Sequence, residues 1–182
     1  MFDGYRFRKA DDILITDEAG TVHDIVLIAD AGDDIQQLSG ILSPGLINCH
    51  CHLELSHLKN VIPPHTGLID FLCSVVTKRG FDAAIIQQEI EKAEEEMFNN
   101  GIVAVGDIGN TADTALVKRK SNIRWQNFVE VLGFYDEKAE ATMEQYRTIA
   151  NDLEDSLRTS YIAHRTSLVP HAPYSVSAKT FQ

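Results

Sequence analysis

His50 and His52 stand two residues apart near the end of the stretch Pro44-Gly45-Leu46-Ile47-Asn48-Cys49-His50-Cys51-His52-Leu53-Glu54. In a strand, side chains alternate between faces, so both imidazoles point the same way and can grip one metal ion. Leu46 and Asn48 share that face, while Ile47, Cys49 and Cys51 take the other. The histidine face is polar only towards the C-terminal end, and the cysteine face is apolar throughout. Parallel barrels place their chemistry at the C-terminal ends of strands and pack the opposite strand face under helices. The pattern predicts a metal site in a barrel. A structural zinc site built from Cys49, His50, Cys51 and His52 together is excluded, because no tetrahedral ion is reached from both faces of a strand. The Pro-Gly entry, the apolar approach and the run Leu53-Glu54-Leu55 supply the strand context that a bare His-x-His pair lacks.

The elements that must hold this pair follow a strand–helix rhythm. Ile13–Thr16, the turn Asp17–Gly20 and Val22–Ile28 predict a hairpin, after which Ile35–Leu42 leads into the Pro44 strand. Strands are expected near 45–52, 102–108, 125–132 and 165–171. Leu68, Ile69, Leu72, Val75 and Val76 lie at helical spacing, with Cys73 on the apolar side as a core residue. Asp82 is placed to cap a helix whose face carries Ala83, Ile86, Ile90, Ala93 and Met97, and Gly101 follows as its stop. A short helix is expected over about 113–120. The longest runs over about 137–158 with Met143, Tyr146, Ile149, Ala150, Leu153 and Leu157 as its buried stripe. The run Glu94-Glu95-Glu96 is a solvated helix face. Asp107 and Glu130 close the second and third barrel strands, where an acidic residue caps a helix or pairs with a neighbouring polar group. His23, His57, His65 and His164 are read as loop or surface histidines.

Pro44–Glu54 closely resembles the signature of the amidohydrolase superfamily, metal-dependent hydrolases on a (β/α)8 barrel. Val169-Pro170-His171-Ala172-Pro173-Tyr174-Ser175-Val176-Ser177 resembles the fourth-strand motif of its deaminase and chlorohydrolase branch, which includes guanine, cytosine and S-adenosylhomocysteine deaminases. Gly101–Asp107 and Phe128–Gly133 are similar to the second and third strands. The resemblance implies an α/β fold, a TIM-type (β/α)8 barrel of the metal-dependent hydrolase type. A small β-sandwich segment over 1–43 would precede the barrel portion over 44–182. It implies His50 and His52 as metal ligands and His171 as a substrate-binding residue, with Glu54 lining the pocket or supporting the ligands from behind.

The family's remaining groups are a histidine in a His-x-x-Glu arrangement on strand five, a histidine on strand six and an aspartate on strand eight. No His-x-x-Glu follows residue 171. Residues 44–182 also fall well short of the ~250 that such a barrel takes. Only about four β/α units are expected, as in the N-terminal half of an amidohydrolase, with the proton-shuttling Glu downstream. Thr166–Tyr174 holds no lysine to bridge two metals, so one divalent ion is expected, zinc first and iron as the rival. The implied reaction is hydrolysis of a C–N bond other than a peptide bond, with loss of ammonia from an aminated heterocycle. Chloride displacement or cyclic amide hydrolysis on the same scaffold is the alternative chemistry. A non-catalytic fragment that keeps the fold is the alternative of another class, and residues 1–182 alone are expected to be inactive.

The net charge of −11 argues against nucleic acid and anionic membrane as partners. No apolar stretch approaches the ~20 residues of a membrane span. The opening Met1-Phe2-Asp3-Gly4-Tyr5-Arg6 has no apolar signal core, and three cysteines make no disulfide framework, so a cytoplasmic setting is expected. The partner implied is a small molecule. Open strand edges predict homo-oligomerisation or association with a C-terminal half.

Overall fold

Asp17 starts the first hairpin by accepting a hydrogen bond from Thr21 N at 2.8 Å, which turns β1 (Asp12–Thr16) back onto β2 (Val22–Leu27) in antiparallel register. The computed structural model describes residues 1–182, which divide into two units, Met1–Gly45 and Leu46–Gln182. The first unit holds this hairpin and an isolated bridge between Phe2 and Phe7, whose loop is tied by Asp3 accepting from Tyr5 N and Arg6 N.

The second unit is a sheet of four parallel strands in chain order: β3 (Leu46–Cys51), β4 (Ile102–Gly109), β5 (Arg124–Val131) and β6 (Arg165–Pro170). Its helices are α1 (Leu68–Lys78), α2 (Ala83–Asn99), α3 (Ala115–Lys120), α4 (Ala139–Leu157) and the single turn α5 (Ala178–Phe181). These are the strand–helix units of a partial (β/α) barrel. No helix is long and apolar enough to cross a membrane.

Alternation along β5 decides which side of the sheet the helices cover. Trp125, Asn127, Val129 and Val131 are buried, and Gln126, Phe128 and Glu130 between them are only half-buried. On the buried side, Trp125 joins Val105, Ile123, Ile90 of α2, Val117 of α3 and Leu53 in one core. Val129 and Val131 join Ala115, Tyr146 and Leu153 in a second, under α4. The capping reading of α2 holds, as do the stripes of α2 and α4, except that Ala83 at the start of α2 is exposed. Asp82 accepts from Ala84 N at 2.8 Å, Gly101 takes the positive φ (+78°) that ends the helix, and Ile90 is fully buried.

Two expectations fail. The apolar approach to the histidines is not buried, since Leu46 is 59% and Ile47 67% exposed, and Cys49 is exposed as well. β3 is an edge strand, and α2 packs over β4 and the turn after β3 rather than over the start of β3. Likewise α1 forms where its spacing predicts but buries none of its residues, so Cys73 is exposed and not a core residue. Helical spacing sets which side chains share a face; it does not supply a surface for that face to cover.

Gly106 lets the edge strand dock. A Cβ there would lie 2.9 Å from the Cys49 carbonyl oxygen and 3.2 Å from Phe128 Cε2. Gly106→Ala is therefore expected to push β3 from β4 and destabilise the chain by about 1–3 kcal/mol in urea titration. Gly80→Ala, with open space around its Cβ, serves as the control.

Candidate metal centre

The backbone of β3 brings the two predicted ligands together. The His50 and His52 rings lie 5.2 Å apart between centroids, with their planes 68° apart. Asn48, expected on the histidine face, instead turns to the helix side, where its Nδ2 donates to Met97 Sδ of α2 at 3.9 Å, because a register shift between Asn48 and Cys51 breaks the alternation; its Oδ1 accepts from His50 N at 3.2 Å. The strand ends at Cys51, and His52 adopts φ −124° and ψ 72°, leaving extended geometry to start the 3-10 turn Leu53–Leu58. Two imidazoles sharing a tetrahedral ion hold their donor atoms about 3.3 Å apart, which follows from Zn–N bonds near 2.0 Å. Rings 5.2 Å apart at one strand end fit that requirement. No third His, Cys, Asp or Glu joins them to complete a ligand group.

The turn after His52 is fastened by buried charge. Asp107, 3% exposed near the end of β4, accepts from Leu53 N at 2.8 Å through Oδ1 and from Lys118 Nζ at 2.6 Å through Oδ2. Lys118 also donates to Asn127 Oδ1 at 2.7 Å, and its ammonium lies 5.2 Å from the Trp125 ring centroid. Asp107 thus lies on the helix side of the sheet, away from the histidine face. Between the two predicted ligands, Cys51 is half-buried in the first core; burial first, then the Asp107 charge, pushes its thiol up to about 12.

Glu54 is buried and fully engaged. Oε2 accepts from Asn110 N and Thr111 N at 3.0 Å each and from Thr111 Oγ1 at 2.9 Å, while Oε1 accepts from Arg79 Nη2 at 2.9 Å. These bonds make it a brace between the turn and the loop after β4.

His171 follows β6, so it stands at the same C-terminal end of the sheet as the pair, and its backbone N–H donates to Val131 O at 3.1 Å. Its Nδ1 lies 2.7 Å from Ser175 Oγ, and that hydroxyl lies 3.1 Å from Ala172 O. A carbonyl can only accept, so the single Ser175 proton goes to Ala172. The Oγ then accepts from His171 Nδ1–H, and Nε2 is left as the outward-facing nitrogen of an exposed ring.

The remaining histidines separate by depth. His164 precedes β6, at the opposite end of the sheet, where it accepts from Trp125 N; burial first, then Lys118 and Arg124, hold it below the usual imidazole range. It borders an open cleft of about 600 Å³ with Arg158 and Arg165, far from strand ends that carry chemistry in barrels. His57, read as a loop or surface residue, is instead buried, stacked edge-on against Phe81 with centroids 5.2 Å apart. The tight 3-10 turn folds it inward with Leu53, Glu54 and Leu58. Sequence reading missed this burial and the Lys118 network, although Lys118 follows the apolar run Ala115-Leu116-Val117 on a face that must meet the sheet.

A parallel β/α sheet carrying a His-x-His pair at the C-terminal end of its edge strand defines a partial barrel of the metal-dependent hydrolase type. Comparison with known families makes the assignment specific: residues 41–182 match the model of the amidohydrolase family, and the chain belongs to that family. Over 176 residues it is 23% identical to a 5'-deoxyadenosine deaminase of Methanosphaera stadtmanae, covering 94% of this chain and 40% of that protein. Among solved structures it resembles Helicobacter pylori aminofutalosine deaminase in complex with methylthio-coformycin. That match has 27% identity and a TM-score of 0.55, over 76% of this chain and 33% of that one. A zinc-bound adenosine deaminase from Xanthomonas campestris shares the fold, with 21% identity and a TM-score of 0.60 over 88% of this chain and 38% of that one. The chain spans 40% and 32% of the length of the curated relatives it matches.

Neither ring nitrogen of His57 has a hydrogen-bond partner. A buried polar atom left unpaired costs about 1–3 kcal/mol. His57→Leu is expected to leave the fold intact and raise the urea midpoint; a midpoint lowered by 1 M or more would show a hidden polar partner.

Proposed function

We propose that this chain carries the first part of the active site of a metal-dependent deaminase, which removes an exocyclic amine as ammonia from a purine-like heterocycle. The paired rings of His50 and His52 at the C-terminal end of an edge strand carry this reading. Membership of the amidohydrolase family, the deaminases among its relatives and the zinc in one structural neighbour support it. His50 and His52 would supply two of the ligands of one divalent ion, zinc in the first instance. When bound, such an ion supplies the acidity that brings the pKa of water from near 16 to about 7.

The chain's own residues then hold the substrate. His171 is locked by Ser175 with Nε2 outward, so that nitrogen meets a polar edge of the ring at the same end of the sheet as the metal pair. Glu54 braces this end with both oxygens already bonded, which favours a supporting role over substrate contact. The further ligands and the proton-transferring carboxylate are assigned to portions of the protein outside residues 1–182. Three free thiols suit a reducing cytoplasm.

The test is ammonia release from aminated purine nucleosides by the whole protein, read alongside elemental analysis. His50→Ala and His52→Ala are each expected to remove the stoichiometric metal and turnover together. His171→Ala should retain the metal and lose roughly 10²-fold or more in kcat/KM, the scale for one lost polar contact at a reacting centre. Metal content unchanged after the double replacement of His50 and His52 would refute the site.

A further inference from the structure

Two buried carboxylates hold the turn after the metal pair by bonds that run in opposite directions. Asp107 of β4 takes the N–H of Leu53, the first peptide after His52, at 2.8 Å. Glu54, on that turn, reaches back and takes the N–H groups of Asn110 and Thr111 just past the end of β4 at 3.0 Å each. Each carboxylate has its own cation, Lys118 at 2.6 Å from Asp107 and Arg79 at 2.9 Å from Glu54. Gly109 leaves the room, since a Cβ there would lie 3.0 Å from Glu54 Oε2.

A buried ion pair contributes little over apolar residues of the same volume, so stability alone does not account for Asp107 and Lys118. Their placement does. His52 has left strand geometry, and no ladder bond beyond Cys51 holds its backbone. Within the turn the His52 carbonyl takes the Leu55 N–H at 3.0 Å, and the Leu53 N–H to Asp107 bond is the tether that ties this peptide to β4. Groups behind metal-binding histidines commonly set ligand orientation, and their loss costs about 10–100-fold in affinity.

We propose that Asp107 is a positioning residue for the metal pair: through the Leu53 N–H it fixes the His52 backbone, and Lys118 holds the carboxylate in place. This rests on the reading of His50 and His52 as ligands, and it extends that reading to residues on the helix side of the sheet.

Two double variants of the whole protein isolate the tether. Asp107→Asn with Lys118→Met removes both charges but keeps an acceptor oxygen for Leu53 N–H. Asp107→Ala with Lys118→Met removes both charges and the acceptor. Neither leaves an unpaired buried charge, and thermal melts confirm folding of each. In the metal-free protein the alanine form should show faster exchange of the Leu53 amide and displaced His52 ring resonances, with those of His171 unmoved. The asparagine form should match wild type. With Co²⁺ as the probe, the alanine form should bind about 10–100-fold more weakly with an altered visible spectrum, and the asparagine form within about threefold of wild type. Equal Leu53 exchange and equal His52 resonances in the two variants overturn the proposal, whatever the metal does. Co²⁺ binding that is indifferent to His50→Ala overturns the ligand reading instead, a separate result.

Discussion

The Asp107 carboxylate is the point on which the upper end of the sheet depends. It is almost fully withdrawn from water, and its charge is met by one ammonium and one peptide N–H. Removing either member of such a pair costs about 3–5 kcal/mol, because the survivor stays buried without compensation. Lys118 passes the constraint on to Asn127, and Asn127 Nδ2 donates to Thr166 Oγ1 at 3.4 Å, so β4, β5, β6 and α3 are linked at one level of the sheet. The turn after β3 hangs from that level. Position of the histidine pair is thereby a property of three neighbouring strands.

The sheet has two distinct ends. The C-terminal end gathers His50 and His52, whose rings lie side by side, and His171, whose Nδ1 meets the Ser175 hydroxyl. The other end carries His164, engaged with Trp125 N and Ser160. The same residue type thus meets different surroundings at the two strand termini. Concavity alone points to that other end, where the open cleft beside His164 is bordered by the charged side chains of Glu154, Asp155 and Arg158.

Much of this was legible in the chain wherever a rule of period or capping applied. Alternation placed His50 and His52 on one face; Asp82 and Gly101 bounded α2; the 3.6-residue stripe of α4 fell where Tyr146, Leu153 and Leu157 are buried. What escaped reading depends on where surfaces meet. Lys118 looks like a solvated cation beside Arg119 and Lys120, yet its stem runs beneath Trp125 to a carboxylate eleven residues earlier. His57 looks like a loop residue until a tight turn folds it inward. Leu46, Ile47 and the face of α1 look like core by composition, but composition does not say whether a neighbouring layer arrives.

The long connection before β4 also bears on the order in which the chain assembles. About 50 residues separate Cys51 from Ile102, whereas about 14 separate Gly109 from Arg124. Closing the longer loop costs about 1 kcal/mol more in chain entropy, and its strand gains a ladder on one side only. The β4–β5 pair is therefore favoured to form before β3 joins it. His50 and His52 then take their places beside β4 only after a partner strand already supports it, when Leu53 meets Asp107.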